Sequence, residues 1–143
     1  MTDVPSPFFQ VGIIVQDLDA ARDELGRALG VSWGTTVENE VDSHPIRLCF
    51  TREGPPYLEL IEGPPGSPWD ASGGPRIDHV GYWTPDIDRA REGLAAEGAA
   101  VEVDGGFFAY LRAPQSGLRI ELIVDSGRAD FYRVFGLDDP TGA

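Results

Sequence analysis

Lysine is absent. All eleven basic residues are arginines, set against 24 acidic ones, and the net charge is −13. A chain so acidic repels phosphate backbones, which argues against nucleic acid as a partner. Cysteine is nearly absent too: the single Cys49 excludes an internal disulfide and suits a reducing compartment. It has no identifiable partner base, so a buried, inert thiol is expected. Long apolar runs are missing, as is a basic segment followed by a hydrophobic stretch at the N-terminus. The sequence therefore reads as neither membrane-spanning nor secreted, and a cytoplasmic location is expected. What remains, at 143 residues, 41% hydrophobic and 24% charged, is the content of one soluble domain.

Present instead is a repeat. Gln10-Val11-Gly12-Ile13-Ile14-Val15-Gln16-Asp17-Leu18-Asp19-Ala20-Ala21-Arg22 aligns without gaps on His79-Val80-Gly81-Tyr82-Trp83-Thr84-Pro85-Asp86-Ile87-Asp88-Arg89-Ala90-Arg91, an offset of 69 (79 − 10). Leu58-Glu59-Leu60-Ile61 answers Ile120-Glu121-Leu122-Ile123 at an offset of 62 (121 − 59). Each half is too small to be comfortably stable alone, so two modules sharing one sheet system is the natural arrangement.

The first module, about 8–62, reads as βαβββ. A β-branched stretch over Phe8–Val15 is a strand, and Asp17 supplies N-cap chemistry for a helix over 18–29 that stops at Gly30. Strands follow near 32–40, 45–52 and 56–62. Residues 63–75, rich in Gly, Pro and Ser, form a linker. The second module, about 76–125, repeats the order: strand 76–84, helix 86–97 ended by Gly98, and strands 99–103, 107–113 and 117–125. A terminal helix is expected over about 128–135, with Phe131, Tyr132 and Phe135 on one face and Gly136 as its stop.

Strand alternation sorts the side chains. Val11, Ile13 and Val15 share one face of the first strand, Val80 and Tyr82 one face of its counterpart, and Leu58, Leu60, Ile120 and Leu122 do the same in the last strands. These faces are expected beneath the helices. Gln10, Glu59, His79 and Glu121 then point the opposite way, at repeat-equivalent places.

On these residues the chain resembles the vicinal oxygen chelate superfamily, which includes glyoxalase I, methylmalonyl-CoA epimerase, extradiol dioxygenases and bleomycin-resistance proteins. The resemblance runs through both modules and implies an α+β fold of two tandem βαβββ units forming a cup-shaped mixed sheet with helices outside. It places one ligand on the first and last strand of each module: Gln10, Glu59, His79 and Glu121. One amide, two carboxylates and one imidazole suit a divalent ion such as Zn, Ni, Co, Mn or Mg. The implied chemistry is chelation of two substrate oxygens, loss of an adjacent C–H proton and an enediolate, with Glu59 or Glu121 moving the proton. A single His at the four positions disfavours the two-His iron site of the dioxygenases. Gln/Glu/His/Glu occurs in some glyoxalase I enzymes, whereas Ala113-Pro114-Gln115-Ser116-Gly117-Leu118-Arg119-Ile120-Glu121-Leu122 looks more like the epimerases, which usually carry His at the first position. A homodimer is implied on family grounds alone.

Other residues divide between functional and structural readings. Arg47 and Arg119 either enter the cup to grip an anionic substrate group or form structural ion pairs. Trp83 and Tyr57 share faces with His79 and Glu59 and are candidates for an aromatic substrate wall. His44, beside Pro45, is expected in an exposed turn. Trp69 is either a flap over the cup or a subunit contact. Two functions rival a metal-dependent isomerase, epimerase or lyase acting on a small carbonyl compound or thioester. One is a non-catalytic protein sequestering a drug or natural product in a pocket around Trp83, Tyr57, Phe107 and Phe108. The other is a metal-free biosynthetic enzyme using Glu59 or Glu121 as a bare acid–base.

Overall fold

The computed structural model describes residues 7–140. The repeat predicts two βαβββ modules, and two are found: β1 (Phe8–Ile14), α1 (Leu18–Leu29), β2 (Val37–Val41), β3 (His44–Phe50) and β4 (Tyr57–Glu62), then β5 (Arg76–Thr84), α2 (Ile87–Ala96), β6 (Ala100–Asp104), β7 (Phe108–Arg112) and β8 (Arg119–Val124). A 3₁₀ turn at Asp125–Gly127 leads into α3 (Arg128–Val134). The repeated aspartates cap both outer helices, Asp17 accepting from the Ala20 N–H and Asp86 from the Arg89 N–H. Gly30 ends α1 in the left-handed region at φ 70°.

All eight strands form one sheet in the order β2-β3-β4-β1-β5-β8-β7-β6. Within each module the first and last strands run parallel, β1 with β4 and β5 with β8. The modules join through the antiparallel β1–β5 pair, so they complete each other within one chain. α1 covers one convex face, where Leu18, Ala21 and Leu25 pack on Val15, Cys49 and Leu60. α2 covers the other, with Ile87, Ala90 and Leu94 against Tyr82, Leu111 and Leu122. Cys49 is fully buried there, and burial pushes its thiol up to about 11, out of nucleophilic range.

Two expectations are corrected. The strand expected over 32–40 begins only at Val37: Trp33 makes an isolated bridge to Thr51 and Gly34 donates to the Phe50 carbonyl of β3, but the Thr35 N–H turns away to the Phe135 carbonyl. His44 is not in an exposed turn. Asp42 and Ser43, at φ 50° and 64°, make the two-residue hairpin, and His44 opens β3 half-buried, its ring 6.4 Å from that of Trp69.

The third helix breaks the symmetry. α3 lies on the concave side, opposite α1 and α2, and its Phe131 packs edge-on against Phe9, Phe50 and Trp83.

Candidate functional site

Paired β-bulges set the geometry. In the β1–β5 ladder Gly12 faces His79 while Ile13 faces Ile77, so Asp78 is extra; Phe8 faces Tyr82 while Gln10 faces Gly81, so Phe9 is extra. Phe9 and Asp78 are themselves repeat equivalents (78 − 9 = 69). Each bulge immediately precedes a candidate ligand and re-aims it toward the sheet centre. The two glycines of the repeat then make room for the opposite module's side chain. A Cβ on Gly12 would lie 2.1 Å from the His79 ring, and one on Gly81 2.3 Å from the Gln10 side chain.

The strands thus carry four polar side chains to one buried point. Gln10, Glu59, His79 and Glu121 are 1%, 4%, 1% and 7% exposed. His79 Nε2 lies 3.0 Å from Glu59 Oε1 and 3.5 Å from Glu121 Oε1. Gln10 Nε2 donates to Glu59 Oε1 at 3.4 Å and closely to Glu121 Oε1. One donor atom each of Glu59, His79 and Glu121 falls within 4.8 Å of the others. Donors bound to one ion at roughly 2.1 Å stand about 3.0–3.4 Å apart, so these spacings fit a shared divalent cation. Gln10 offers a further sign: its Oε1 is buried with no hydrogen-bond partner, while its amide N–H group faces the carboxylates. Rotating that amide would turn the orphaned oxygen toward the same point.

Burial penalises charge on Glu59 and raises its pKa to about 7, against the opposing pull of His79. Burial works against a charged His79, but hydrogen bonds to Asp78, Glu121 and Glu59 prevail and hold its pKa well above the ordinary value. The proton of the metal-free cluster is therefore held between His79 and its carboxylates.

Asp78 carries a role that reading the sequence missed. Its Oδ2 meets His79 Nδ1 at 2.9 Å, and Arg119 Nη1 donates to both Asp78 oxygens at 3.0 and 2.8 Å. Asp78 is buried, which opposes its ionisation, yet the bonds to His79 and Arg119 hold its pKa below the ordinary value. The Arg119–Asp78–His79 chain orients the imidazole with Nε2 toward the carboxylates. At the symmetry-related place, Phe9 and Tyr57 stand where module two has Asp78 and Arg119 (119 − 57 = 62). The signal in the sequence was an acid directly before His79 where its counterpart is aromatic.

Gln10, Glu59 and Glu121 open onto a cavity of about 450 Å³ on the concave face. Alternate residues of the strands wall it, Ile46, Leu48 and Phe50 on β3 and Phe108 and Tyr110 on β7 among them, with α3 at one end. Trp83 lines it, stacked on Phe9 at 4.2 Å. Trp69 reaches in from the linker, fully buried, and donates its Nε1–H to the Tyr110 hydroxyl at 3.1 Å.

Three of the residues that the sequence marks for substrate contact lie outside the cavity lining. Arg47 alternates with Ile46 and Leu48 and so faces outward, paired with Asp19 at 3.3 Å and near Glu38 and Glu62. Arg119 is on the concave face but spent on Asp78, its guanidinium 4.3 Å over the Tyr110 ring. Tyr57 is 1% exposed in the cluster of Phe9, Phe50 and Trp83 beneath α3, and burial pushes its hydroxyl up to about 12.

A family model described as Glyoxalase/Bleomycin resistance protein/Dioxygenase superfamily matches residues 9–113. The chain belongs to this superfamily. No curated protein matches the sequence. Among solved structures, a Streptomyces coelicolor methylmalonyl-CoA epimerase variant in complex with 2-nitronate-propionyl-CoA superposes with a TM-score of 0.66 at 24% identity, covering 85% of this chain and 95% of that one. The Mycobacterium tuberculosis methylmalonyl-CoA epimerase gives 0.61 at 20% identity, covering 87% and 91%. A mutant of 4-hydroxymandelate synthase from Streptomyces coelicolor gives 0.62 at 18%, covering 87% of this chain and 50% of that one. Proteins of unlike activity thus share this fold with it, and the fold alone selects none of those activities. No helix among the described residues is long and apolar enough to cross a membrane.

Proposed function

We propose that this superfamily member is a divalent-metal-dependent isomerase, epimerase or lyase that moves a proton on the carbon beside a carbonyl. One observation carries the reading: Glu59, His79, Glu121 and Gln10, drawn from both modules, converge on one point, and Gln10, Glu59 and Glu121 line a largely apolar cavity. Those four residues would hold the ion. Once bound, it would supply Lewis-acid polarisation of two substrate oxygens, making the neighbouring C–H more acidic.

The chain's own residues do the rest. Glu59, a carboxylate beside the reacting centre, would take and return the proton. Glu121, on the equivalent strand of the other module, would be the second carboxylate able to deliver it, as epimerisation requires. Asp78 and Arg119 keep the His79 imidazole fixed. The apolar wall excludes water and strengthens each of these interactions.

The first test is elemental analysis of protein purified without chelators, followed by deuterium exchange from solvent into hydroxyketones and acyl thioesters. Bound divalent metal and metal-dependent exchange at the carbonyl-adjacent carbon are expected. Identical melting of metal-stripped and metal-loaded protein, with no ion surviving purification, would defeat the proposal. A second reading, sequestration of an apolar compound, draws on the aromatic cavity wall; it predicts binding with no exchange.

A further inference from the structure

Among the described residues, none that lines the cup carries a positive charge. Among its lining residues there is no arginine, and the chain has no lysine. Of the arginines near the cavity, Arg119 is paired with Asp78 and Arg133 with Asp130 at 2.9 Å, while Arg128 lies over the Trp83 ring at 5.5 Å, outside the lining. Cationic side chains are the strongest and most specific partners for phosphate or carboxylate in a partly desolvated site. The net charge of −13 adds a repulsive field for any anion approaching. The same cavity is rich in flat aromatic surface, with Trp69, Trp83, Phe50, Phe108, Phe131 and Phe135 facing it from several elements. Its volume of about 450 Å³ lies within the usual range for drug-sized ligands.

We infer that the cup takes an uncharged aromatic compound bearing a carbonyl with a neighbouring oxygen, and that it rejects polyanionic coenzyme A thioesters. The inference deepens the proton-transfer reading of the same cavity and rests on it for the carbonyl chemistry. The aryl group lies against the aromatic wall, where stacked and edge-on contacts reward it. The oxygen pair is left to meet the polar floor of Gln10, Glu59 and Glu121. No cationic side chain among the described lining residues offsets the desolvation of a coenzyme A phosphate carried into the cup.

Three probes test this on the protein by isothermal titration calorimetry, with and without added divalent metal. 2-Hydroxyacetophenone carries the aryl group and the oxygen pair, hydroxyacetone only the oxygen pair, and propionyl-CoA the anionic carrier. The aryl ketone is expected to bind at least tenfold more tightly than either of the others, and Phe131→Ala to narrow its advantage over hydroxyacetone at least threefold. Propionyl-CoA binding as tightly as the aryl ketone would overturn the inference. So would equal binding of the two hydroxyketones, or no binding of any probe. Solvent deuterium exchange into bound 2-hydroxyacetophenone separates the two claims: aryl-selective binding without exchange defeats the proton-transfer reading and leaves the ligand class standing.

Discussion

Two glycines show how little space the site leaves. Gly12 and Gly81 each face the ligand side chain of the opposite module, and a methyl group on either would overlap it. Gly12→Ala is expected to destabilise the protein by about 1–3 kcal/mol, measured by urea unfolding, because the His79 ring has no room to retreat. Asp78 illustrates the opposite case, a residue whose importance lies in what it leaves behind. Asp78→Asn removes the counter-charge of Arg119, itself 5% exposed. The expected cost is about 3 kcal/mol, together with a 10- to 100-fold loss in divalent-metal affinity by calorimetry. Unchanged metal affinity in that variant would show that His79 needs no orienting partner.

At the level of elements, the repeat is followed where the two helices are capped and broken where α3 packs. Asp17 and Asp86 each accept one N–H bond in the first turn of α1 and α2. Asp17→Ala and Asp86→Ala should each lower stability by about 1 kcal/mol, and by similar amounts, since the two caps are repeat equivalents. The bulges at Phe9 and Asp78 are likewise equivalent in backbone, yet one feeds an aromatic cluster and the other an ionic chain. Twofold strand geometry therefore supports an asymmetric site: aromatic under Gln10, charged under His79. α3 enlarges the difference by lining the concave face, where Trp69 from the linker also reaches in against Tyr110.

For the whole molecule the burial of acids in an acidic protein has a sign that can be followed through pH. The Glu59 carboxyl has a pKa of about 7 in the fold, against roughly 4.3 in an unfolded chain. Between those values the native state holds more protons than the unfolded state. Its contribution to stability is therefore full below the unfolded value and is lost as pH rises through about 7. His79, with its pKa also raised, acts in the same sense at higher pH. The melting temperature of metal-free protein should fall from pH 5 to pH 8, and Glu59→Gln should flatten that fall over roughly the same window. Metal reverses the trend, because the cation competes with those protons. Its apparent affinity is expected to rise about tenfold per pH unit wherever one proton is displaced, with proton release visible in buffers of different ionisation enthalpy.

Residue order along the chain was enough to define the two modules, their capped helices and the four side chains that meet at the centre. Repeat and alternation are local patterns, and a pleated strand obeys them whatever lies around it. Alternation alone could not say which face of β3 carries Arg47, because no polar ligand on that strand marks the cup side; the outward pairing with Asp19 and Glu62 emerged only once α1 had docked. Arg119 and Tyr57 were assigned to the correct face but not to the correct depth, since a buried partner and α3 respectively enclose them. Asp78 turned toward His79 because of a one-residue bulge, which is a property of strand pairing rather than of composition. The chemistry of the donors was written in the chain. The hydrophobic wall before them, and the absence of any cation among its described residues, were decided by how distant segments pack.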